Sequence, residues 1–344
     1  MHVTPVEWIV TIVVIIGLFV FDFFAHVRKP HEPSFRESAF WYAVFVGIAV
    51  LFGVFVMLKW DTTYGGEYFA GYITELALSM DNLFVFIIIM SSFAVPRQYQ
   101  QKVLLIGIVM ALVMRGIFIA VGAAAINTFS WVFYLFGFFL VYTAYKLVKD
   151  QGHEVEHEQE RDSKIIALAK RFLPTTEEYH GDRLTTKIDG KRVATPLLLT
   201  LVAIGFTDLL FALDSIPAIY GLTKEPYIVF TANAFALMGL RQLYFLIGGL
   251  LERLVYLSLG LSIILAFIGV KLILHALHEN TLPFINGGEH VPVPEVTTAM
   301  SLLVIIGVLL ITAVASLIKT RGRTSSSRVE DESATEDRSD NTAE

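Results

Sequence analysis

Two pairs of acidic residues interrupt stretches that are otherwise apolar: Glu75 with Asp81 in GYITELALSMDNLFVFIIIM, and Asp208 with Asp214 in LLTLVAIGFTDLLFALDSIPAI. Both stretches are long enough to cross a bilayer, where each carboxylate costs at least a few kcal/mol on insertion scales. Four such residues imply a polar cavity, a bound cation or a proton relay, and the chemistry they suit is movement of a cation across a membrane. A six-residue step on a straight helix is about 600° of rotation and about 9 Å of rise, so the acids of one pair point about 120° apart. An unbroken helix cannot aim both at one ion. Either the helix unwinds, or the inner acid binds while the outer one handles protons or gating. Pro217, three residues after Asp214, lacks a backbone donor and clashes with the preceding turn. Asn82 and Ser215 could bond the backbone groups that such a break frees. The expectation is therefore an interrupted helix whose exposed carbonyls complete a hard-cation site formed by Glu75, Asp81, Asn82, Asp208, Asp214 and Ser215. The chain has no cysteine, which excludes disulfides and thiolate ligands and leaves oxygen donors, with histidine as the strong nitrogen option. Oxygen ligation suits Mg²⁺, Ca²⁺ or Mn²⁺ better than Zn²⁺ or Cu⁺, and the spacing does not choose among the first three.

The elements that must position these acids are membrane spans. Hydrophobic residues make up 55% of the chain and charged residues 17%, and the mean hydropathy is +0.63, a composition that excludes a soluble enzyme. Apolar runs of about 20 residues, the length that crosses about 30 Å of hydrocarbon, recur nine times, near 7–26, 40–58, 68–94, 103–125, 129–148, 196–219, 227–247, 254–277 and 297–318. The expected fold is an all-α polytopic membrane protein, with Gly248-Gly249 as the break after the seventh span. The first span has no basic residues before it and Arg28-Lys29 after it, so it reads as an uncleaved anchor. Lys and Arg cluster after spans one, three, five and nine, which places those sides in the cytoplasm, the N-terminus outside and the C-terminus inside.

The two acidic segments also align. ELALSMDN matches DLLFALDS, so that Glu75 pairs with Asp208, Asp81 with Asp214 and Asn82 with Ser215; each copy is followed by Arg-x-aliphatic-aromatic, at Arg115 and at Arg241. The charge pattern runs the third and sixth spans in opposite directions. This predicts an inverted 3+3 repeat that brings both motifs together near mid-bilayer. The chain then divides into peripheral helices one and two (1–64), a first repeat with helices three to five (65–149), a hydrophilic cytoplasmic loop (150–194), a second repeat with helices six to eight (195–278), an outer loop with helix nine (279–319), and an acidic tail (320–344) that lacks apolar residues and is expected to be disordered.

Each singled-out residue also has a plainer reading. The four acids could pair with Arg115 and Arg241 merely to hold helices together, but two arginines leave two acids unmatched. Arg115 is either a counter-ion or a competitor for the ligands in the empty state; Arg241 is a gating or counter-ion candidate that could instead snorkel to an interface. Asp22 is either a site member or an interfacial anchor. Lys271, His275 and His278 approach a span end and read as snorkelling groups. Asn127 and Asn233 fit as caps or polar glue, and either could supply a carbonyl ligand. In the loop, KIIALAKRF suits an amphipathic surface helix, Asp189-Gly190 suits a hairpin turn, and His153, Glu154, Glu156, His157 and Glu158 form a solvated charge run that could also sense metal.

These phrases, together with VPRQYQQKVLLIGIVMALVMRGIFI and FTANAFALMGLRQLYFLIGGLLERL, resemble the TerC family of integral membrane proteins, which is named for tellurite resistance and includes alkali-inducible Alx-type members; the resemblance spans about 7–318. It implies efflux of divalent metal, chiefly Mn²⁺, with Glu75, Asp81, Asp208 and Asp214 serving transport. Mn²⁺ is then substrate and not a permanent cofactor, and the expected mechanism is alternating access, with protonation of a carboxylate giving exchange of metal for protons. The alternative is a membrane scaffold or metal-handling partner in a stress (tellurite) resistance complex without independent transport, its protein partners meeting the 150–194 loop. An enzyme is not expected, since HExxH and GxSxG are both absent, and neither is a nucleic-acid partner. The candidate sites are acidic and would repel tellurite itself.

Overall fold

The structure is a computed structural model that describes residues 1–27, 33–129, 131–149, 174–176, 178–188, 191–247, 256–279, 285–289 and 291–340; the side chains of Asp81, Phe84, Asn127, Lys191 and Ile247, the surroundings of Gly288 and the side chains of residues 320–340 lie outside that description. The helices are α1 (Pro5–Asp22), α2 (Phe35–Lys59), α3 (Thr62–Ser92), α4 (Arg97–Thr128), α5 (Val132–Lys149), α6 (Pro196–Tyr220), α7 (Pro226–Met238), α8 (Leu240–Ile247), α9 (Leu257–His278) and α10 (Thr298–Asp340). A hairpin of β1 (Thr185–Ile188) and β2 (Lys191–Ala194) precedes α6. Local sequence explains the starts. Thr4 and Glu7 form a capping box on α1, Ser34 caps α2, and Asp61 accepts from the Thr63 amide to start α3. A π-helical turn, Phe23–Val27, follows α1.

Among the described residues, nine helical stretches are long and apolar enough to cross a membrane, and they coincide with the nine apolar runs of the sequence. The seventh span, Pro226–Leu246, is made of α7 and α8, which meet at Gly239 against the ring of Tyr42. The expected break at Gly248-Gly249 lies outside the described residues. Burial separates centre from periphery: the windows of α3, α6 and the α7–α8 span are 69%, 61% and 89% buried, against 22% for α1 and α2 and 17% for α10. Apolar side chains on the outer helices face what a bilayer would supply, and the polar residues of the motifs lie on the inner ones.

The core pairings cross the chain. α3 packs on α7, α4 on α6, and α5 on α9 in the most extensive contact of the molecule. The α5–α9 contact is reciprocal. A Cβ built on Gly137 would lie 2.8 Å from the Gly269 carbonyl oxygen, and one built on Gly269 would lie 2.8 Å from the Gly137 carbonyl oxygen. Gly137 also abuts Ile273 while Gly269 abuts Val141, so the two helices run antiparallel. Small residues at the crossing let the backbones meet in this way.

One expectation is corrected. α6 does not unwind at Pro217 but continues to Tyr220, with the Gly221 amide donating to the Pro217 carbonyl at 2.9 Å. The proline sits in the last turn, where its missing donor removes one bond near an end and the Tyr220 hydroxyl anchors that end on the Ile119 carbonyl at 2.6 Å. The backbone of α10 continues as helix from its span to Asp340. A helix already nucleated by a span can propagate without a new nucleation cost. Beyond the membrane core, β1 and β2 pair antiparallel around Asp189-Gly190 as expected; those two turn residues, KIIALAKRF and the charge run from His153 to Glu158 lie outside the described residues.

Candidate functional site

The site is built from the same crossing. Glu75 lies midway along α3, Asp208 and Ser215 lie on α6, and α4 carries Arg115 between them. Among the described residues, Arg115 is the largest fully buried side chain. One face of its guanidinium fork meets Asp208, Nε at 3.2 Å from Oδ2 and Nη2 at 2.9 Å from Oδ1, while Nη1 donates to Glu75 Oε1 and reaches Ser215 Oγ at 3.4 Å. With its amide oriented to satisfy both ends, Asn82 donates to the Leu78 carbonyl at 3.0 Å and accepts from Arg115 Nη2 at 3.2 Å. Ser79, one turn beyond Glu75, donates to Glu75 Oε1 at 3.3 Å. A planar fork with five donors is suited to this shared, bidentate recognition.

Four of the six predicted ligands, Glu75, Asn82, Asp208 and Ser215, therefore converge on one cation, and that cation is the protein's own. Two of the three aligned pairs, Glu75 with Asp208 and Asn82 with Ser215, meet around Arg115. Ionised, the trio of Glu75, Asp208 and Arg115 carries a net −1 in a buried setting. Asp214 stands apart, accepting from the Thr143 hydroxyl of α5 at 3.1 Å. This is the divergence expected of residues six apart on an unbroken helix. Asp81 is on α3, but its side chain lies outside the described residues. Among the described residues, no three His, Asp or Glu side chains form a group that could hold a metal ion. As the structure stands, Arg115 occupies the position between the two aligned carboxylates.

Arg241, the sequence counterpart of Arg115, is also buried and does not snorkel. Its Nη2 donates to Asp22 at 2.6 Å, and Nη1 lies 3.4 Å from Gln101 Oε1. Asp22 is thus its counter-ion at the end of α1, just before the π-helical turn, and a cleft beside the pair is lined by Glu37, Gln101 and Gln242. At the opposite end of the bundle a second pocket is lined by Tyr64, Glu67, Thr223, Glu225, Lys271 and His275. Lys271 donates to Ser301 at 3.1 Å, and His275 and His278 lie 3.5 Å and 3.0 Å from Glu279 and Glu295. Lys271 and His278 thus meet polar neighbours, whereas His275 Nε2 lies near Glu279 without a hydrogen bond. Asn127 lies in the last turn of α4, with its side chain outside the described residues, and Asn233 lies mid-helix in α7.

Sequence reasoning missed Ser79, Thr143 and Glu67. Ser79 could have been found from its i+4 spacing to Glu75; Thr143 carries no signal beyond being a lone hydroxyl in an aromatic span.

The family model described as integral membrane protein TerC family matches residues 60–324. An uncharacterized membrane protein of Mycobacterium tuberculosis is 56% identical over 94% of this chain and 82% of its own length. The thylakoid membrane protein TERC of Arabidopsis thaliana is 43% identical over 71% of this chain and 62% of its own length. Alx of Photorhabdus laumondii, named as a membrane-bound redox modulator, is 36% identical over 79% and 87% of the two chains. No solved structure matches the chain.

Proposed function

The chain belongs to the TerC family of integral membrane proteins, and from that premise we propose that it exports a divalent cation, Mn²⁺ foremost, through the buried centre of Glu75, Asp208 and Arg115. The observation that carries this reading is the bridging of Glu75 and Asp208, the aligned acids of two sequence repeats, by one fully buried arginine. In the empty state the guanidinium offsets one of the two negative charges. An entering dication displaces it, taking the carboxylates as ligands, and the displaced positive charge helps expel the ion or a proton replaces it. Asp81 and Asp214 lead to and from the centre, and Mn²⁺ is substrate. This chain has no cysteine, so the thiol chemistry that a redox role would most simply use is not available within it.

The helix pairings support an inverted repeat. Exchanging helices three, four and five for six, seven and eight in span order turns the α3–α7 contact into the α6–α4 contact and maps the antiparallel α5–α9 pair onto itself. The reciprocal glycine contact has the geometry of a local two-fold axis perpendicular to those helices, which lies in the plane of a membrane. Rocking of one half against the other about that axis gives alternating access. Basic residues place the N-terminus outside and the C-terminus in the cytoplasm of a bacterial plasma membrane, so the Asp22–Arg241 pair closes the cytoplasmic end.

A second reading has its own support. Glu75 and Asp208 are already bridged by Arg115 and Asp22 is paired with Arg241, and the described residues offer no preformed three-ligand metal site; a scaffold or metal-handling partner, bound through the 150–194 loop, would need none. Uptake of Mn²⁺ by inside-out proteoliposomes separates the two. A carrier shows flux with the intact protein that is lost in Asp81→Asn and Asp214→Asn at equal reconstitution. Absence of flux from intact protein under working controls leaves the scaffold. Flux indifferent to an imposed pH gradient removes the proton from the scheme.

A further inference from the structure

Resting on the carrier reading, we propose that Tyr220 is the gate through which the ion leaves: its ring closes the route from the centre of Glu75, Asp208 and Arg115 to the pocket lined by Glu67 and Lys271, and the ion passes when that ring swings off α4. The first observation is that one face of α3 joins centre and pocket. Tyr64, Glu67, Gly71, Glu75, Ser79 and Asn82 follow one another at steps of three and four residues, the spacing of a single helix face. Printed along it are contacts in the same order. Tyr64 and Glu67 line the pocket, and Glu67 accepts from Thr223 between α6 and α7. A Cβ built on Gly71 would lie 3.3 Å from Ile219, and Glu75 and Asn82 reach Arg115. The polar face is therefore interrupted at Gly71, level with the end of α6.

The second observation is what fills the interruption. α4 and α6 run side by side in the same sense: Cβ atoms built on Gly107 and Gly122 would lie 3.0 Å from Ile204 and 2.9 Å from Tyr220, with Arg115 bonded to Asp208 between them. Tyr220 is thus beyond the centre on the pocket side. It lines the pocket, yet is only 2% exposed. Its ring lies on Gly122, and its hydroxyl donates to the Ile119 carbonyl at 2.6 Å. Ile119 is one turn, about 6 Å of rise, from Arg115. The tyrosine therefore reaches from the pocket wall to within a turn of the bridging arginine.

The third observation is that this closure can give way. One neutral hydrogen bond latches the hydroxyl. Pro217 has no amide to offer the Leu213 carbonyl four residues back, so the last turn of α6, which carries Tyr220, is tied to the rest of the helix by one bond fewer. Beyond the ring, the pocket has a volume of about 270 Å³, room for a cation with six waters at about 30 Å³ each. Acids and lysines line it together, and Lys224 is paired with Glu279. Such a vestibule passes a cation on without retaining it.

The chain has no cysteine, so Ser215→Cys, on the sealed side of Tyr220 and 1% exposed, gives a unique labelling site in the full-length protein. Its reaction with a membrane-impermeant methanethiosulfonate is followed in right-side-out and inside-out membrane vesicles. Mn²⁺ flux of the intact protein in proteoliposomes and melting temperatures in detergent are read alongside. Adding Tyr220→Ala is expected to speed labelling from the outer face at least tenfold. Gly122→Ala, which crowds the ring, and Tyr220→Phe, which removes only the latch, are each expected to speed it about threefold, with labelling from the cytoplasmic face unchanged. A tyrosine that merely anchors α6 would lower the melting temperature of Tyr220→Phe and leave labelling as it was in all three variants. That result overturns the gate, while flux by the intact protein keeps the carrier. Faster labelling from the cytoplasmic face alone also overturns it, since the ring would then guard an entrance. If the intact protein carries no Mn²⁺, carrier and gate fall together.

Discussion

Arg115 is held by two carboxylates that reach it from opposite sides, and removing it would leave Glu75 and Asp208 buried against each other without a cation. Breaking a buried pair from one side typically costs about 3–5 kcal/mol, whereas replacing all the partners by apolar groups of like volume is often close to neutral. Arg115→Met should therefore destabilise the protein by about that amount in denaturant unfolding, and the triple change Glu75→Leu, Asp208→Leu, Arg115→Met should be more stable than Arg115→Met alone while transporting nothing. Asp214 is in a different position. Its hydrogen bond to Thr143 is a single neutral donor, so Asp214→Asn should leave the melting temperature nearly unchanged while flux disappears. The convergence of Glu75, Asn82, Asp208 and Ser215 was legible, because repeat alignment and acid content survive in one dimension. The role of Arg115 as the occupant of the site was only one of two open readings, since which of two arginines lies between the acids depends on how α4 crosses α6.

At the level of elements, α5 and α9 meet backbone to backbone. Gly269→Leu would drive a side chain into the Gly137 carbonyl, 2.8 Å from the first added carbon; overpacking of this kind costs about 1–3 kcal/mol. A lower melting temperature in detergent is expected, together with weakened flux, because α5 carries Thr143 and hence the hold on Asp214. The hairpin region offers a pH handle outside the membrane. Lys102 donates to Asp182 at 2.8 Å and holds its carboxyl below the ordinary value of 3.8. A depressed carboxylate contributes its stabilisation in full above the ordinary value and loses it as pH falls through the lowered one. Protease cleavage between residues 174 and 195 should thus stay slow down to about pH 4 and accelerate below it, and Asp182→Asn should accelerate it at neutral pH. Nine spans were readable because apolar length is a direct consequence of bilayer thickness. The uninterrupted end of α6 was not, since a proline's effect depends on how many turns remain after it, and the break at Gly239 depends on Tyr42 from another helix.

For the whole molecule, the division into a buried inner set and an outer set follows from where the polar residues are. Apolar exchanges on the outer faces, such as Leu51→Ile on α2 or Ile311→Leu on α10, both exposed in the structure, should change neither melting temperature nor flux measurably. The peripheral place of the first, second and ninth spans could be read from their lack of motif acids, whereas the cross-chain pairings could not, because nothing local states which helix meets which. One consequence concerns the order in which a ribosome delivers the parts. Arg115 precedes Asp208 by 93 residues, and α3 and α4 can enter the bilayer as a neutralised hairpin, with Glu75 against Arg115. α6 brings Asp208 and Asp214 but no lysine or arginine of its own, at about 2.5–3.5 kcal/mol for each acid near a helix centre. Its partner is already waiting, so the first half acts as an intramolecular insertion chaperone for the second, and a nascent chain lacking α4 should leave α6 stalled at the translocon.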